Sequence, residues 1–188
     1  MTRRLVVEAD GGSRGNPGAA GYGALVRDPV TGEVLEEISD SLGRATNNVA
    51  EYSGLVAGLR AAARIAPQAD VEVRMDSKLV VEQMSGRWKI KDENLRSLAS
   101  SARDAARGLG RVSYVWVPRD RNAHADRLAN QAMDAAAGQA DGNGPQRSGP
   151  EPDDGGEARH TAEPENLCGN APLCHAGRRD CPRALGPS

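Results

Sequence analysis

The feature that most constrains this 188-residue chain is a change of hydrophobic rhythm part-way along it. Three short strand-like runs come first. Leu5-Val6-Val7-Glu8-Ala9-Asp10 is apolar and partly β-branched, and the Gly11, Gly12, Gly15, Asn16, Pro17, Gly18 cluster after it predicts a long turn. A second strand is predicted over about 21–27, and Asp28-Pro29-Val30-Thr31-Gly32 turns the chain into a third over 33–38. The rhythm then becomes helical. Thr46 is placed to cap a helix with body Val49 to Ile65, whose Val49, Leu55, Val56, Leu59, Ala62 and Ala63 lie near one face. Val71 to Asp76 alternates as a half-buried strand, Ser77 opens a helix to about Met84, and 92–107 is a further amphipathic helix. Arg111 to Val117 is the last strand, and a last helix starts at Asn122 or Ala123 and runs to about Ala137. The order βββαβααβα predicts an α/β fold: a five-stranded mixed sheet, begun as an antiparallel meander, with helices on both faces.

Composition changes after residue 137. Residues 138–188 hold nine Gly and seven Pro, above the roughly 25–30 % that marks low-complexity sequence. Their only large aliphatics are Leu167, Leu173 and Leu185, too few to offset about 1–2 kcal/mol of backbone entropy per residue. The expectation is a folded domain over 1–137 and a disordered Gly/Pro-rich tail or linker over 138–188. The domain carries 19 Lys and Arg against 18 Asp and Glu, which argues against a strongly basic nucleic-acid coat. All three cysteines, Cys168, Cys174 and Cys181, fall in the tail with His175. Their spacing misses the close-paired zinc pattern and reads as solvated thiols. No run approaches the roughly 18 apolar residues of a membrane helix, and Leu5-Val6-Val7 is too short for a signal-peptide core. A cytoplasmic monomer without a membrane partner is expected; a protein partner of the tail is unknown.

Four acids sit at element ends. Asp10 closes the first predicted strand and Asp76 the fourth, Glu51 lies in the first turn or two of an Ala/Val/Leu helix, and Asp126 lies in the first turn of the last helix. If strands one and four are neighbours, Asp10 and Asp76 stand about 4.8 Å apart, one strand spacing. Like charges so close call for a cation, and an oxygen-only donor set without His or Cys favours Mg²⁺ or Mn²⁺ over zinc or copper. Two such ions activate water and stabilise the leaving oxygen of a phosphodiester, the route of many nucleases. Each acid taken alone has an ordinary explanation. Asp76 before Ser77 suits a helix cap, and Glu51 or Asp126 suits the positive end of a helix dipole.

The surrounding strings carry more. Asp10-Gly11-Gly12-Ser13-Arg14-Gly15-Asn16-Pro17-Gly18 with Gly21-Tyr22-Gly23, then Thr46-Asn47-Asn48-Val49-Ala50-Glu51-Tyr52, Met75-Asp76-Ser77 and Asn122-Ala123-His124-Ala125-Asp126-Arg127-Leu128-Ala129-Asn130 resemble type 1 ribonuclease H in order and spacing. The resemblance covers the whole of 1–137. It implies the ribonuclease H-like fold and Asp10, Glu51, Asp76 and Asp126 as the metal-holding, catalytic carboxylates, Asp10 and Asp76 facing the scissile phosphate. The implied activity is that of a hydrolase, a metal-dependent endonuclease cutting the RNA strand of an RNA/DNA hybrid to leave 5′-phosphate and 3′-hydroxyl ends. Two Mg²⁺ ions would serve, with Mn²⁺ as substitute. It also implies Gly11, Ser13, Asn16, Asn47, Asn48 and Glu51 facing the RNA strand, whose 2′-hydroxyls both donate and accept. Arg44 and Thr46 match positions that grip a DNA-strand phosphate near a helix N-terminus. Trp88, among Arg87, Lys89 and Lys91, matches the DNA-strand channel. By residue type alone, Asn16-Pro17-Gly18 reads as a plain turn, Asn47-Asn48 as the start of a helix, and Trp88 as an anchor of the inter-helix loop.

Two departures place the chain in a short-loop branch of that family. Only Gly86 to Asp92 spans the interval where many members carry a long Lys- and Trp-rich protrusion, so binding is expected to be weaker and less salt-dependent. The loop that often supplies a histidine ahead of the last acid is shortened to Val117-Pro118-Arg119-Asp120-Arg121, and Arg119 is expected to take that place. His124 reads as a surface or cap residue. Alternatives are a hybrid-binding module of the same fold without activity, and the N-terminal half of a bifunctional ribonuclease H/phosphatase joined by a linker.

Overall fold

A computed structural model describes residues 2–141, with side chains through residue 138. The three cysteines, His175 and residues 142–188 of the expected disordered tail lie outside the described residues; residues 138–141, expected to begin that tail, instead continue the last helix. Five strands, β1 (Arg4–Gly15), β2 (Gly18–Arg27), β3 (Val34–Ala45), β4 (Asp70–Met75) and β5 (Val112–Trp116), form one mixed sheet in the order β3-β2-β1-β4-β5. β1, β2 and β3 pair antiparallel as a meander, while β4 and β5 run parallel to β1. The helices are α1 (Asn47–Ile65), α2 (Lys78–Met84), α3 (Glu93–Ala106) and α4 (Ala123–Asp141), with a 3-10 turn over Arg119–Arg121. Element order and types match the sequence expectation. Among the described residues, no helix is long and apolar enough to cross a membrane.

Thr46 caps α1 through its hydroxyl, Ser77 caps α2 and Asp92 caps α3, each accepting from the backbone amide three residues on. The core on one face is built by Leu5, Val7 and Ala9 of β1 and Val73 and Met75 of β4. Tyr52, Leu55 and Leu59 of α1, Val80 and Val81 of α2, and Leu95 and Ala99 of α3 close over them. The other face is covered by Ala125, Leu128, Ala129, Ala132 and Met133 of α4, all buried. Small residues on both sides bring helices close to the strands.

That closeness corrects the first predicted strand. The glycine-rich stretch is not a long turn: β1 continues through Gly11, Gly12 and Ser13 to Gly15, and only Asn16 and Pro17 bridge to β2. Successive strand residues face opposite sides. A β carbon on Gly11 would stand 2.2 Å from the Ala50 carbonyl carbon of α1; one on Gly12 would stand 2.7 Å from the Met133 side chain of α4. The two glycines admit helices from above and below. Asp10 therefore lies within β1 rather than at its end, and β3 likewise extends beyond residue 38 to Ala45.

Candidate active site

The parallel register Glu8↔Arg74, carried two residues further, sets Asp10 beside Asp76 at the C-terminal end of β4. Asp10 is only 8 % exposed. Its carboxyl is pushed up to about 7, first by burial and next by the charge of Asp76, with Asp126 adding to the repulsion; the Gly11 amide and Arg119 pull the other way. The neighbouring-strand expectation for this pair holds.

Glu51 comes in on α1, past its first turn, so the helix dipole does not explain it. Ser77 donates to Glu51 Oε2 at 2.6 Å and Asn47 Nδ2 donates to Oε1 at 2.9 Å. Burial pushes this carboxyl up to about 7; the Ser77 bond opposes that, Asp76 adds to it, and the Asn47 bond opposes it. Asp76 is not a helix cap, because Ser77 takes that position. Asp126 does lie in the first turn of α4. Arg119 Nη2 pairs with Asp126 Oδ1, and Asn130 Nδ2 donates to Oδ2 at 3.1 Å.

The remaining predicted residues divide by position. Ser13 Oγ lies 2.8 Å from the Ala45 carbonyl and beside that of Gly15, Asn16 Oδ1 accepts from the Asn47 amide at 3.3 Å, and Thr46 caps α1. The β1–β2 hairpin tip, the end of β3 and the start of α1 thus meet next to Glu51. Arg44 at the end of β3 is exposed, and Asn48 is half-exposed in the first turn of α1. Gly11 is buried under α1 and offers a ligand no side chain. Trp88 stands apart from the acids in the α2–α3 loop, 48 % exposed, its amide bonded to the Glu82 carbonyl. His124 turns to Glu37 of β3, in keeping with a surface residue.

Two residues escaped the sequence reading as parts of the site. Asn122, read there as a helix start and as the first residue of the last resembling string but given no role, is fully buried and donates through Nδ2 to Asp76 Oδ1 at 2.8 Å and to the Ala9 carbonyl at 3.0 Å. Trp116 Nε1 donates to the Asp76 carbonyl at 3.0 Å while half its surface stays exposed. The one sequence signal for Asn122 is its place at the head of the 122–130 string that carries the resemblance; its burial and its partners are set by residues far along the chain.

The donor set suits a hard cation. Every candidate ligand is a carboxylate, and a cation is already drawn there: the Arg119 guanidinium is held more firmly protonated by its bond to Asp126 and by the charges of Asp126, Asp10 and Asp76. Among the described residues, no group of three or more acids, His or Cys closes around a single point. The acids instead act as a field, with Asp10 and Asp76 at its centre and Glu51 and Asp126 each oriented by its own amide.

Sheet order, helix placement and an acid pair at the β1/β4 boundary define an α/β domain of the ribonuclease H-like class. A family model described as reverse transcriptase-like matches residues 8–132. The chain is 58 % identical over 134 residues to the bifunctional protein Rv2228c of Mycobacterium tuberculosis, covering 71 % of this chain and 36 % of that protein. The solved N-terminal RNase H domain of that protein, a maltose-binding-protein fusion, superposes with a TM-score of 0.72 at 57 % identity, over 74 % of this chain and 99 % of that one. Ribonuclease H of Hydrogenovibrio crunogenus is 34 % identical over 69 % of this chain and 94 % of its own length. LC11-RNase H1, solved in complex with an RNA/DNA hybrid, is 38 % identical with a TM-score of 0.67, over 71 % of this chain and 99 % of that one. The chain belongs to the ribonuclease H family. It spans about a third of the length of the mycobacterial relative.

Proposed function

We propose that the folded domain, residues 1–137, is an endoribonuclease that hydrolyses the RNA strand of RNA/DNA hybrids, leaving 5′-phosphate and 3′-hydroxyl ends. The observation that carries this is the side-by-side placement of Asp10 and Asp76 on parallel strands, flanked by Glu51 and Asp126. The hybrid-bound LC11 relative supports the substrate class.

Asp10, Glu51, Asp76 and Asp126 would hold two Mg²⁺ ions, or Mn²⁺ in their place. When bound, such ions lower the pKa of a water and neutralise the leaving oxygen. The chain's own residues do the rest. Asn47 and Ser77 hold the Glu51 carboxylate in one orientation, and Asn130 does the same for Asp126. Arg119 places an exposed cation beside the acids, able to meet the charge that develops on the phosphate. Asn47, bonded to Glu51, and with it Ser13, Asn16, Asn48 and the backbone of Gly11 would face the RNA strand's 2′-hydroxyls, and Arg44 and Thr46 would take a DNA-strand phosphate at the start of α1. Trp88 would stack on the DNA strand further along.

The test is cleavage of a labelled RNA/DNA hybrid beside double-stranded RNA and double-stranded DNA of the same sequence, with Mg²⁺, Mn²⁺ or EDTA, for wild type and Asp76→Asn. Metal-dependent cutting of the RNA strand that is lost in the variant is expected. A wild type that binds hybrid and cuts nothing with either metal would mean a binding module. The match to one end of a bifunctional relative favours a second reading for any longer protein containing this chain, in which the nuclease is one of two activities.

A further inference from the structure

Asn122 sits between the 3-10 turn and α4 and bonds to the Asp76 carboxylate and to the backbone at Ala9, Arg119 and Asp126. Its side-chain Nδ2 donates to the Ala9 carbonyl, one residue before Asp10, and to Asp76 Oδ1. Its backbone amide donates to the Arg119 carbonyl at 3.0 Å, and its own carbonyl accepts from the Asp126 amide at 3.0 Å. Both hydrogens of the amide nitrogen are engaged. The reversed amide would set Oδ1 against two acceptors, so this orientation is the one the surroundings permit.

The other end of the side chain is unsatisfied. Oδ1 is buried without a hydrogen-bond partner among the described residues, an arrangement that costs the fold stability. An apolar side chain here would leave no orphaned oxygen, so packing alone does not explain the asparagine. Its use must lie with the two bonds from Nδ2.

We infer that Asn122 is a positioning residue that fixes the spacing of the Asp76 carboxylate against Asp10 and ties both to the turn bearing Arg119 and to the start of α4 bearing Asp126. It makes the strand ends and the last helix one unit, so that three carboxylates and the guanidinium keep their mutual geometry when substrate arrives. The role rests on the nuclease reading above.

Asn122→Asp keeps the shape and puts an acceptor where Nδ2 donates; Asn122→Leu keeps the branched outline, at a larger volume, and removes both polar atoms. Circular dichroism and thermal melting establish folding. Mn²⁺ binding to the hybrid-free protein is read by electron paramagnetic resonance, and kcat and KM are read on the hybrid. The expected result is folded variants with kcat down at least about thirtyfold, KM within about twofold, and Mn²⁺ affinity down at least about fivefold. A folded variant with kcat and Mn²⁺ affinity within about twofold of wild type overturns the inference. So does a loss that only tracks the unfolded fraction, or failure of both variants to fold, since either makes Asn122 a fold determinant. If the wild type cuts nothing, the nuclease reading falls, and the Mn²⁺ comparison still decides the positioning role.

Discussion

The backbone of Gly11 is packed against that of Glu51: a β carbon on Gly11 would stand 2.3 Å from the Glu51 amide nitrogen. The obstruction is main chain, so relief requires α1 to move off the sheet and carry Glu51 away from Asp10. Gly11→Ala is expected to destabilise the domain by about 3 kcal/mol, the upper part of the range for overpacking a filled site. Urea unfolding checks the stability, and hybrid cleavage should fall at least about tenfold, as expected when a catalytic group is displaced. A variant with wild-type midpoint and rate would show that the α1 contact is slack.

Metal-free stability should fall as pH rises. The Asp10 and Glu51 carboxyls ordinarily titrate at 3.8 and 4.5 and are both pushed up to about 7 in the fold. Between those limits the folded chain keeps protons that the unfolded chain releases, so the stability these groups contribute is present below about pH 4 and lost by about pH 7. Asp10→Asn removes the larger of the two liabilities. In EDTA at about pH 8 the variant should exceed wild type by on the order of 2 kcal/mol, and the gap should close toward about pH 4. Chemical denaturation across this range checks the sign. Adding Mg²⁺ or Mn²⁺ at high pH should favour wild type over the variant.

Trp88 and Lys89 are exposed on the α2–α3 loop, away from the acids. The loop is held from beneath: Tyr52 donates to Gln83 Oε1 at 2.8 Å, and the Gln83 amide reaches the Lys89 carbonyl at 3.4 Å. Contacts made here are shared by bound substrate and transition state. Trp88→Ala is expected to raise KM about three- to tenfold with kcat little changed, the signature of lost uniform binding. Lys89→Ala should flatten the dependence of log affinity on log salt by somewhat less than one unit, the loss of one phosphate contact. Steady-state kinetics at two or more salt concentrations separates the two effects.

How far the site was legible follows from what each residue does locally. Thr46 and Ser77 announced their helices because a cap is a local bond between a side chain and an amide three residues away, whereas the cap role of Asp92 emerged only in the structure. Asp10 and Asp76 were legible as neighbours because a crossover through α1 sets β4 beside β1. The extent of β1 was not, because Gly11 and Gly12 carry turn chemistry by residue type and become strand only through helices packed from both faces. Asn122 was read as a helix start for the same reason, since its partners Ala9 and Asp76 are distant in sequence. Trp116 looked like any strand aromatic until its indole N–H met the Asp76 carbonyl.

Arg119 is bonded to Asp126 yet leaves 73 % of its side chain exposed, so it adds little to the fold and is free to reach a ligand. An exposed ion pair of this kind is worth about 0–1 kcal/mol, and Arg119→Ala should leave the unfolding midpoint nearly unchanged. Its effect should appear in the rate. The guanidinium lies in the shared field of Asp126, Asp10 and Asp76, where added negative charge on a phosphate would hold it more strongly in the transition state than in the ground state. Arg119→Ala is therefore expected to lower kcat by about ten- to a hundredfold with KM changed far less, and Arg119→Lys to restore part of that loss. If instead KM rises and kcat stays, Arg119 is a phosphate anchor for the bound hybrid. An unchanged kcat and KM would leave Asp126 and Asn130 to do without it.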